Sequence, residues 1–189
     1  SGDLGYSIGH WQASAKVQAP VSATGTFVTL WQKQNSGDWR VRADIGVAHK
    51  ANPNQILKER FSTFKPSSNS VVQAERFVFM KDFYYWKNAK TALNPHEPHL
   101  AENVLLIRDN YLPIEGKANA VAFLQKNYQK KLIYTGLKTI VSQATDFACV
   151  YGSISGKATD KDIKGCFLRV WQQESNNTWK IVVDVETIQ

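Results

Sequence analysis

Cysteine and methionine are scarce: the 189 residues include two cysteines and one methionine. Cys149 and Cys166 fit no metal-binding spacing. They fall on neighbouring predicted strands, where the register places their side chains on opposite faces of a sheet. We therefore expect two buried free thiols, which pack as small apolar groups, rather than a disulfide.

Long apolar runs and catalytic signature motifs are also absent. No segment approaches the roughly 18 consecutive apolar residues of a membrane-spanning helix. The chain has no G-x-S-x-G, H-E-x-x-H, P-loop or dinucleotide-binding motif, and we expect neither a cofactor nor a membrane partner. The sequence begins almost directly with a predicted strand, so we expect the natural N-terminus to be missing from it. Export, for example to a bacterial periplasm, therefore stays an open alternative.

The formal net charge of +7 is not gathered into a basic stripe. Lysine and arginine are scattered, and the densest cluster is the pair Lys130 and Lys131. A nucleic-acid surface would need basic residues and exposed aromatic residues on one element. We therefore expect a solvated surface and no nucleic-acid partner.

Two segments of the chain repeat each other at one constant spacing and without gaps. Each contains two tryptophans at the same separation, which is hard to obtain by chance. We interpret the repeat as common ancestry. The matched pairs include Gly25 and Gly165, Phe27 and Phe167, Trp31 and Trp171, Gln32 and Gln172, Trp39 and Trp179, and Asp44 and Asp184.

Each segment is predicted to form a three-stranded antiparallel meander, because turn-forming residues separate β-rich runs. In the last run Trp179, Ile181, Val183 and Val185 alternate with Lys180 and Asp184, the period of a half-buried strand, which places Asp184 on the opposite face. The predicted strands are 3–16, 23–34 and 39–47, then 146–156, 163–174 and 178–187.

The two meanders differ in what precedes them. Before the second lie enough residues to complete a domain, whereas the first has almost nothing before it. We therefore divide the chain into a truncated first copy (1–50), a linker rich in Lys, Asn, Pro and Ser (51–70) and a complete second unit (71–189).

The second unit begins with a long predicted helix over 71–92, opened by a capping box of Ser70 and Gln73. The helix is expected to present an apolar stripe to a curved sheet, an α+β layout. The predicted stripe contains Ala74, Phe77, Met80 or Lys81, and Tyr84. A strand (103–109), a loop (110–116), a helix (117–129) and a strand (132–144) follow.

The stretch HLAENVLLIRDNYLPIEGKANAVAFL, which starts at His99, resembles the strand–loop–helix signature of SnoaL-like and ketosteroid-isomerase-like domains. These domains form part of the nuclear-transport-factor-2-like superfamily. The resemblance covers 71–189 completely and 3–50 as the C-terminal half of a second copy. It implies a cystatin-like cone, in which a curved antiparallel sheet packs on a long N-terminal helix, plus an extra three-stranded meander.

The resemblance identifies the fold better than the activity, because one scaffold serves isomerases, dehydratases, cyclases and binders. By resemblance to ketosteroid isomerases, Asp109 would be the base, and Tyr84 or its neighbour Tyr85 would donate to an enolate oxygen. The third partner of those enzymes, an acid on a strand, is missing from 166–170. A turn cap at Asp109 and a pocket-wall role for Tyr84 are the structural alternatives.

Three functions stay open at this point. We favour binding of a small, mainly apolar ligand in the cone pocket. The alternatives are an isomerase- or polyketide-cyclase-like proton-transfer enzyme, and an interaction module whose sheets pair in a homodimer or within the chain. Asp184 could reach the pocket or pair with Arg169. The predicted pocket residues are Phe77, Tyr84, Tyr85, Trp86, Phe123, Phe167, Arg169, Trp171 and Asp184.

His96 and His99 form an H-x-x-H motif, but Pro98 argues against the helix that would put both on one face. With no third ligand evident, we expect no metal site. Water elimination of the scytalone-dehydratase type would need a pocket histidine, and His96 or His99 could serve only if their loop folds inward.

Overall fold

The computed structural model describes residues 2–51, 70–88, 95–127, 132–158, 161–174 and 178–188. A three-stranded antiparallel sheet comes first, with β1 at Leu4–Ser14, β2 at Val21–Lys33 and β3 at Trp39–Ala48. These strands agree with the predicted first meander. Nearly all of the predicted linker lies outside the described residues.

The remaining elements are two helices and a six-stranded sheet. Within the described ranges, no helix has the length and apolar character needed to cross a membrane. The helices are α1 at Val71–Asn88 and α2 at Lys117–Asn127, and a short 3-10 turn spans Glu97–His99. The strands are β4 (Leu100–Arg108), β5 (Ile114–Glu115), β6 (Ile133–Val141), β7 (Phe147–Ala158), β8 (Lys161–Gln173) and β9 (Trp179–Ile188), in the spatial order β5-β4-β9-β8-β7-β6.

The six-stranded sheet is mixed, whereas the resemblance implied an antiparallel one. β4 and β9 run parallel, with Leu106 opposite Asp184 and Arg108 opposite Glu186. The other neighbouring strands of this sheet are antiparallel. Parallel neighbours are joined by a long crossover rather than a local turn. The sequence around either strand therefore contains no sign of this pairing.

A β-bulge interrupts the alternation of β9. Ile181 and Val183 pair with successive residues of β8, so Val182 is the extra residue. An extra residue shifts the side-chain alternation by one. The predicted alternation is therefore wrong beyond Ile181, and Asp184 lies on the same face of the sheet as Ile181.

The first meander has its bulge at the same position of the repeat. In β3, Arg42 is the extra residue between Val41 and Ala43. Both meanders also place a glycine of the first strand beneath a phenylalanine ring of the second. These pairs are Gly9 with Phe27, and Gly152 with Phe167.

The buried side of α1 differs from the predicted stripe. Its buried residues include Val78, Asp82 and Tyr85 beside the predicted Ala74. The predicted Phe77 is 50% exposed. A charged residue normally marks the solvent side of a helix. The burial of Asp82 is therefore the reason why the predicted apolar stripe is wrong.

The start of α1 is as predicted. The Ser70 backbone N–H donates to the Gln73 Oε1 at 3.2 Å, and the Gln73 backbone N–H donates to the Ser70 Oγ at 3.3 Å. These two bonds satisfy N–H groups that have no partner within the helix. The predicted last residues of the two helices, 89–92 and 128–129, lie outside the described residues.

Each face of the six-stranded sheet is covered by a different part of the chain. α1 covers what we call the inner face, over a core that contains Phe167, Trp171 and Trp179. The three-stranded sheet covers the opposite, outer face. The core between the two sheets contains Leu4, Val28, Leu30, Ile45 and Val47 from the first, and Leu105, Ile107, Cys149, Leu168 and Val170 from the second.

Cys149 and Cys166 lie on the same face, the outer one, and not on opposite faces as predicted. Both are free, and Cys149 is buried as expected but Cys166 is exposed. Cys166 pairs with Ser153, four residues along β7 from Cys149. At about 3.3 Å per residue the thiols are on the order of 13 Å apart. That distance, rather than a difference of face, rules out a disulfide.

Two glycines at equivalent positions of the repeat leave no room for a side chain. A Cβ atom at Gly25 would clash with the Val47 carbonyl oxygen, and one at Gly165 with the Thr187 carbonyl oxygen. Both obstacles are backbone atoms of the neighbouring strand, which cannot move without breaking the sheet.

We predict that Gly165→Ala lowers the free energy of unfolding by about 1–3 kcal/mol, the usual cost of overpacking. Gly5→Ala is the matched control, because nothing lies within 4 Å of a Cβ atom there. Urea denaturation of both variants measures the difference. Equal stabilities would contradict the predicted clash.

Candidate functional site

A cavity of about 360 Å³ lies between the two helices and the inner face of the six-stranded sheet. Its volume is within the range of roughly 300–1,000 Å³ that is typical of small-molecule sites. The residues that line it are Tyr85, Trp86, His96, Arg108, Asp109, Asn110, Tyr111, Phe123, Leu124, Asn127, Leu132, Tyr134, Arg169, Glu186 and Ile188.

Aromatic rings form much of the cavity wall. Tyr111, in the loop after β4, meets Phe123 of α2 edge to face, with ring centroids 4.8 Å apart. Trp86 of α1 stacks on Tyr134 of β6 at 6.0 Å. Each pair joins two different elements, so the wall is held by ring packing across the cavity's sides.

Arg169 lies at the centre of a buried group of charges beneath the cavity. Its guanidinium contacts Asp82 of α1 at 3.1 Å, and Asp184 and Glu186 of β9 at 3.3 and 2.9 Å. Arg108 at the end of β4 contacts Asp184 at 3.0 Å and Glu186 at 3.3 Å. We call these five residues the charge network.

The bulge at Val182 is what brings the two acids of β9 into this network. It turns Asp184 and Glu186 towards the inner face, where they meet the arginines of β8 and β4. The sequence alternative in which Asp184 pairs with Arg169 is therefore confirmed. Asp184 lies beneath the cavity lining.

The pKa values of two carboxylates of the charge network, Asp184 and Asp82, are shifted in opposite directions. Burial raises the pKa of Asp184, but attraction to Arg108 and Arg169 outweighs burial and the pKa is lowered. Burial raises the pKa of Asp82 to about 6, although Arg169 and the Trp171 indole N–H, which donates to Asp82 at 3.0 Å, oppose the rise. Of these two acids, Asp82 therefore takes up a proton more readily than Asp184.

Two tyrosines on the cavity wall donate to this network. The Tyr85 hydroxyl donates to Asp184 at 3.0 Å, and the Tyr134 hydroxyl donates to Glu186 at 3.1 Å. Burial raises the pKa of both hydroxyls well above the ordinary value, so both stay protonated. Their hydrogens point at carboxylates, which leaves oxygen lone pairs as acceptors.

The loop that contains His96 and His99 folds inward, against Tyr85. The Tyr85 ring centroid lies 5.2 Å from that of His96 and 5.6 Å from that of His99. Burial lowers the pKa of each imidazole to about 4, so both are neutral at pH 7. His96 also lines the cavity.

The predicted site residues divide into three groups. Phe77 and Tyr84 are about half exposed and lie outside the cavity, because α1 buries a different side. Phe167, Trp171 and Asp184 are buried but do not line the cavity. The members that do line it are Tyr85, Trp86, Phe123 and Arg169, together with Asp109.

Asp109 lines the cavity, but both of its carboxylate oxygens accept backbone hydrogen bonds. Oδ1 accepts the Ala48 N–H at 3.2 Å, and Oδ2 accepts the Ile188 N–H at 2.8 Å. Asp109 thereby ties the end of β3 to the end of β9. This arrangement matches the structural alternative, a cap, rather than a base directed at a ligand.

Several cavity residues escaped the sequence analysis, among them Arg108, Tyr134 and Glu186. One signal could have found Glu186. It matches the uncharged Gly46 of the first meander, as the predicted Arg169 matches Thr29, although the repeat also differs in charge at other positions.

Metal ligation is not indicated by the geometry. Among the residues that the structure describes, no three His, Cys, Asp or Glu side chains are grouped so that they could hold a metal ion.

No protein-family model matches the chain. No curated protein matches it either. Solved structures do. A ketosteroid isomerase-like protein from Erwinia carotovora atroseptica aligns with a TM-score of 0.52 at 12% identity, over 61% of this chain and 96% of that one.

Two further structures agree with this alignment. A nuclear-transport-factor-2-like protein of unknown function from Pseudomonas putida KT2440 has a TM-score of 0.51 at 12% identity, over 64% of this chain and 89% of that one. A proposed dehydratase of the same family from Streptomyces avermitilis has a TM-score of 0.52 at 10% identity, over 62% and 97%.

These likenesses establish the fold. The protein has the nuclear-transport-factor-2-like α+β fold that it shares with these three structures. Each relative aligns over most of its own length, while more than a third of this chain lies outside each alignment. Fold alone does not assign an activity.

We predict that His96 makes the protein sensitive to acid. The pKa of its imidazole is about 4 when folded, below the ordinary 6.5, so the unfolded state binds the proton more tightly. Stability from this group is present above pH 6.5 and is lost as the pH falls towards 4.

Between pH 7 and pH 4 the wild type should lose up to about 3 kcal/mol more unfolding free energy than His96→Gln. Urea denaturation at several pH values measures both proteins. Parallel curves of stability against pH would show that His96 is not the acid-sensitive group.

Proposed function

We propose that the cavity binds a small, neutral, largely aromatic molecule with one polar edge. The observation that carries this proposal is the combination of a ring-lined wall with a floor whose charges are already paired. Flat rings such as those of Trp86, Tyr111 and Phe123 favour a flat apolar ligand. The few polar groups would then fix its orientation.

The charge network argues against an anionic ligand. Arg108 and Arg169 are both engaged by carboxylates, and the three acids at least balance the two cations. An anion entering the cavity would lose its hydration without gaining a free cation. The Tyr85 and Tyr134 oxygens would instead accept a hydrogen bond from a ligand O–H or N–H.

The proton-transfer alternative has weaker support. Its base, Asp109, accepts two backbone N–H groups, and Tyr84 lies outside the cavity. Tyr85 could replace Tyr84 as a donor, but its hydroxyl already donates to Asp184. A ligand-binding function requires none of these groups to change partners.

We predict that 2-naphthol binds at least tenfold more tightly than 2-naphthoate, because the probes share one ring system and differ in charge. Calorimetric titration at pH 7 measures both dissociation constants. Leu124→Trp, which fills part of the cavity, should abolish binding. Leu137→Trp is the control, because Leu137 is 68% exposed on β6.

Tighter binding of 2-naphthoate would refute the neutral-ligand proposal. Undiminished binding to Leu124→Trp would show that the probe occupies another place. Both outcomes are distinguishable from loss of folding by the thermal unfolding midpoint of each variant.

We further propose that the three-stranded sheet is the C-terminal half of a second copy that pairs with the complete unit inside one chain. The shared bulge positions and the shared glycine–phenylalanine pairs support common ancestry. Closing backbone bonds also correspond: Lys33 N–H donates to the Asp3 carbonyl at 2.8 Å, and Gln173 N–H to that of Asp146 at 2.9 Å.

The pairing itself is supported by the apolar core on the outer face. Val28 and Leu30 of β2 are fully buried there, against Leu168 and Val170 of β8. In addition, Tyr6 stacks on Phe147 with ring centroids 5.7 Å apart. The three-stranded sheet would thus occupy the face that could otherwise pair with another chain.

We predict that Val28→Asp opens this face and converts a monomer into a self-associating protein, because the uncovered apolar surface seeks a partner. Light scattering after size-exclusion chromatography measures the mass. Val72→Asp is the control, since Val72 is 59% exposed on α1. A wild-type dimer, or a Val28→Asp variant that stays monomeric and equally stable, would defeat the proposal.

A further inference from the structure

The last strand of the three-stranded sheet, β3, has one side without a neighbouring strand. The strand order is β1-β2-β3, and within the described ranges β3 pairs with β2 alone. In an antiparallel pair, successive residues point their backbone groups alternately towards and away from the partner strand. The His49 N–H points towards β2, where it donates to the Thr24 carbonyl at 3.0 Å. The other side is therefore what we call the β3 edge, and its outward backbone groups belong to Asp44, Gly46 and Ala48.

Two of these three residues have outward backbone groups that no described residue binds. The Ala48 N–H donates to Asp109 at 3.2 Å, and the Ala48 carbonyl accepts the Asn110 N–H at 2.7 Å. Neither Asp44 nor Gly46 has such a partner among the residues that the structure describes, and both are exposed. An unpaired strand edge of this kind is a template for the backbone of another strand.

The repeat indicates which kind of element fits the β3 edge. In the second meander the matching strand is β9, and its corresponding edge is filled by β4. The two strands run parallel, with Leu106 opposite Asp184 and Arg108 opposite Glu186. Asp44 is the match of Asp184 in the first meander. Since both strands also have a bulge at the same position, the β3 edge has the form of an edge that accepts a parallel strand.

An acidic side chain on the β3 edge indicates one residue of the missing strand. Asp184 is bound by Arg108 of β4 at 3.0 Å. The matching Asp44 has no cation beside it among the described residues, and its carboxylate accepts there only the Thr29 hydroxyl. Gly46, which has no side chain, leaves the space next to Asp44 open. A lysine or arginine opposite Gly46 can therefore reach Asp44 as Arg108 reaches Asp184.

The two arginines of β3 do not oppose such a cation. Side chains of a strand alternate between its two faces. Arg40 and Arg42 alternate with Trp39 and Val41, so they lie on the face opposite to that of Asp44. The only charged side chain of β3 on the face that the incoming basic residue shares is therefore an acid, and opposite charges on one face of a strand pair attract each other.

We propose that the β3 edge binds an extended segment of a partner polypeptide as a parallel strand, with a lysine or arginine opposite Gly46 that pairs with Asp44. The choice of a parallel strand rests on the common ancestry proposed above. The choice of a basic residue rests on Asp44, which lacks the cation that its match has. Backbone hydrogen bonds supply affinity in this mode of binding, and the ion pair sets the register.

Two labelled peptides with the sequence of β4, residues 100–108, test the choice of side chain. One is unchanged and the other has Arg108→Glu. Fluorescence anisotropy with the full chain in low salt measures both affinities, and the unchanged peptide should bind at least about tenfold more tightly. Asp44→Arg in the chain should reverse this preference, whereas a peptide that displaced β4 from β9 would keep it. Asp38→Arg, an equal change of charge in the exposed turn before β3, is the control and should leave the preference unchanged.

Methylated peptides test the backbone pairing without any change to the chain. In β4 the Val104 carbonyl accepts the Gly116 N–H at 2.9 Å, on the side of β5. By alternation the backbone groups of Leu106 also point towards β5, and those of Ile107 point towards β9. N-methylation of Ile107 in the peptide should therefore abolish binding to the β3 edge. N-methylation of Leu106 should leave binding within about threefold of the unmodified peptide, because that N–H faces away.

The proposal is overturned if the unchanged peptide does not bind, if its charge variant binds equally well, or if the two methylated peptides bind alike. A preference that Asp44→Arg leaves unchanged overturns it as well. The cavity variant Leu124→Trp should bind the peptide as the wild type does, and loss of binding there would place the peptide in the cavity instead. Self-association of Val28→Asp is measured without peptide, so failure of this proposal and failure of the proposed pairing of the two copies are distinguishable.

Discussion

The site depends on Arg169, a guanidinium buried between a helix and a sheet. Burying a charge is costly unless other charges and hydrogen bonds surround it, and three carboxylates do so here. Because Asp82 comes from α1 while Asp184 and Glu186 come from β9, the same contacts fix how the helix crosses the sheet. Removing one partner of such a buried group typically costs about 3–5 kcal/mol.

This network also explains the character of the cavity above it. The acids of β9 bind both arginines and both tyrosine hydroxyls. The floor therefore consists of polar groups whose charges are already paired with one another. The apolar rings are left to form the wall. On the proposed function, such a cavity selects its ligand by shape and by one or two hydrogen bonds rather than by charge.

The two meanders share one strand pattern but differ in their buried charges. Where the second has Arg169 and Glu186, the first has Thr29 and Gly46. The first therefore needs no buried counter-charges, and a Thr29–Asp44 hydrogen bond replaces the network. The apolar side of the first meander packs on the outer face of the larger sheet, and the two sheets share one apolar core there.

Local signals in the sequence were sufficient for the elements. The capping box of Ser70 and Gln73 and the turn residues between β-rich runs depend on neighbours in the chain. The repeat then showed that the two meanders have the same strand pattern. The approximate limits of the long strands, the start of α1 and the α+β class followed from these signals, whereas β5 lies in the predicted loop 110–116. The resemblance from His99 onward pointed to the fold that the structural comparisons establish.

Only the tertiary structure decided which faces these elements bury. The bulge at Val182 reverses the alternation of β9, and a bulge is a relation between two strands that one strand's pattern does not contain. Asp82 looks like a surface residue until Arg169 and Trp171 are placed beside it. The sequence by itself determined where helices and strands form, because that is set by local conformation. The tertiary structure determined the cavity, because a buried charge is stable only beside partners that are distant in the chain.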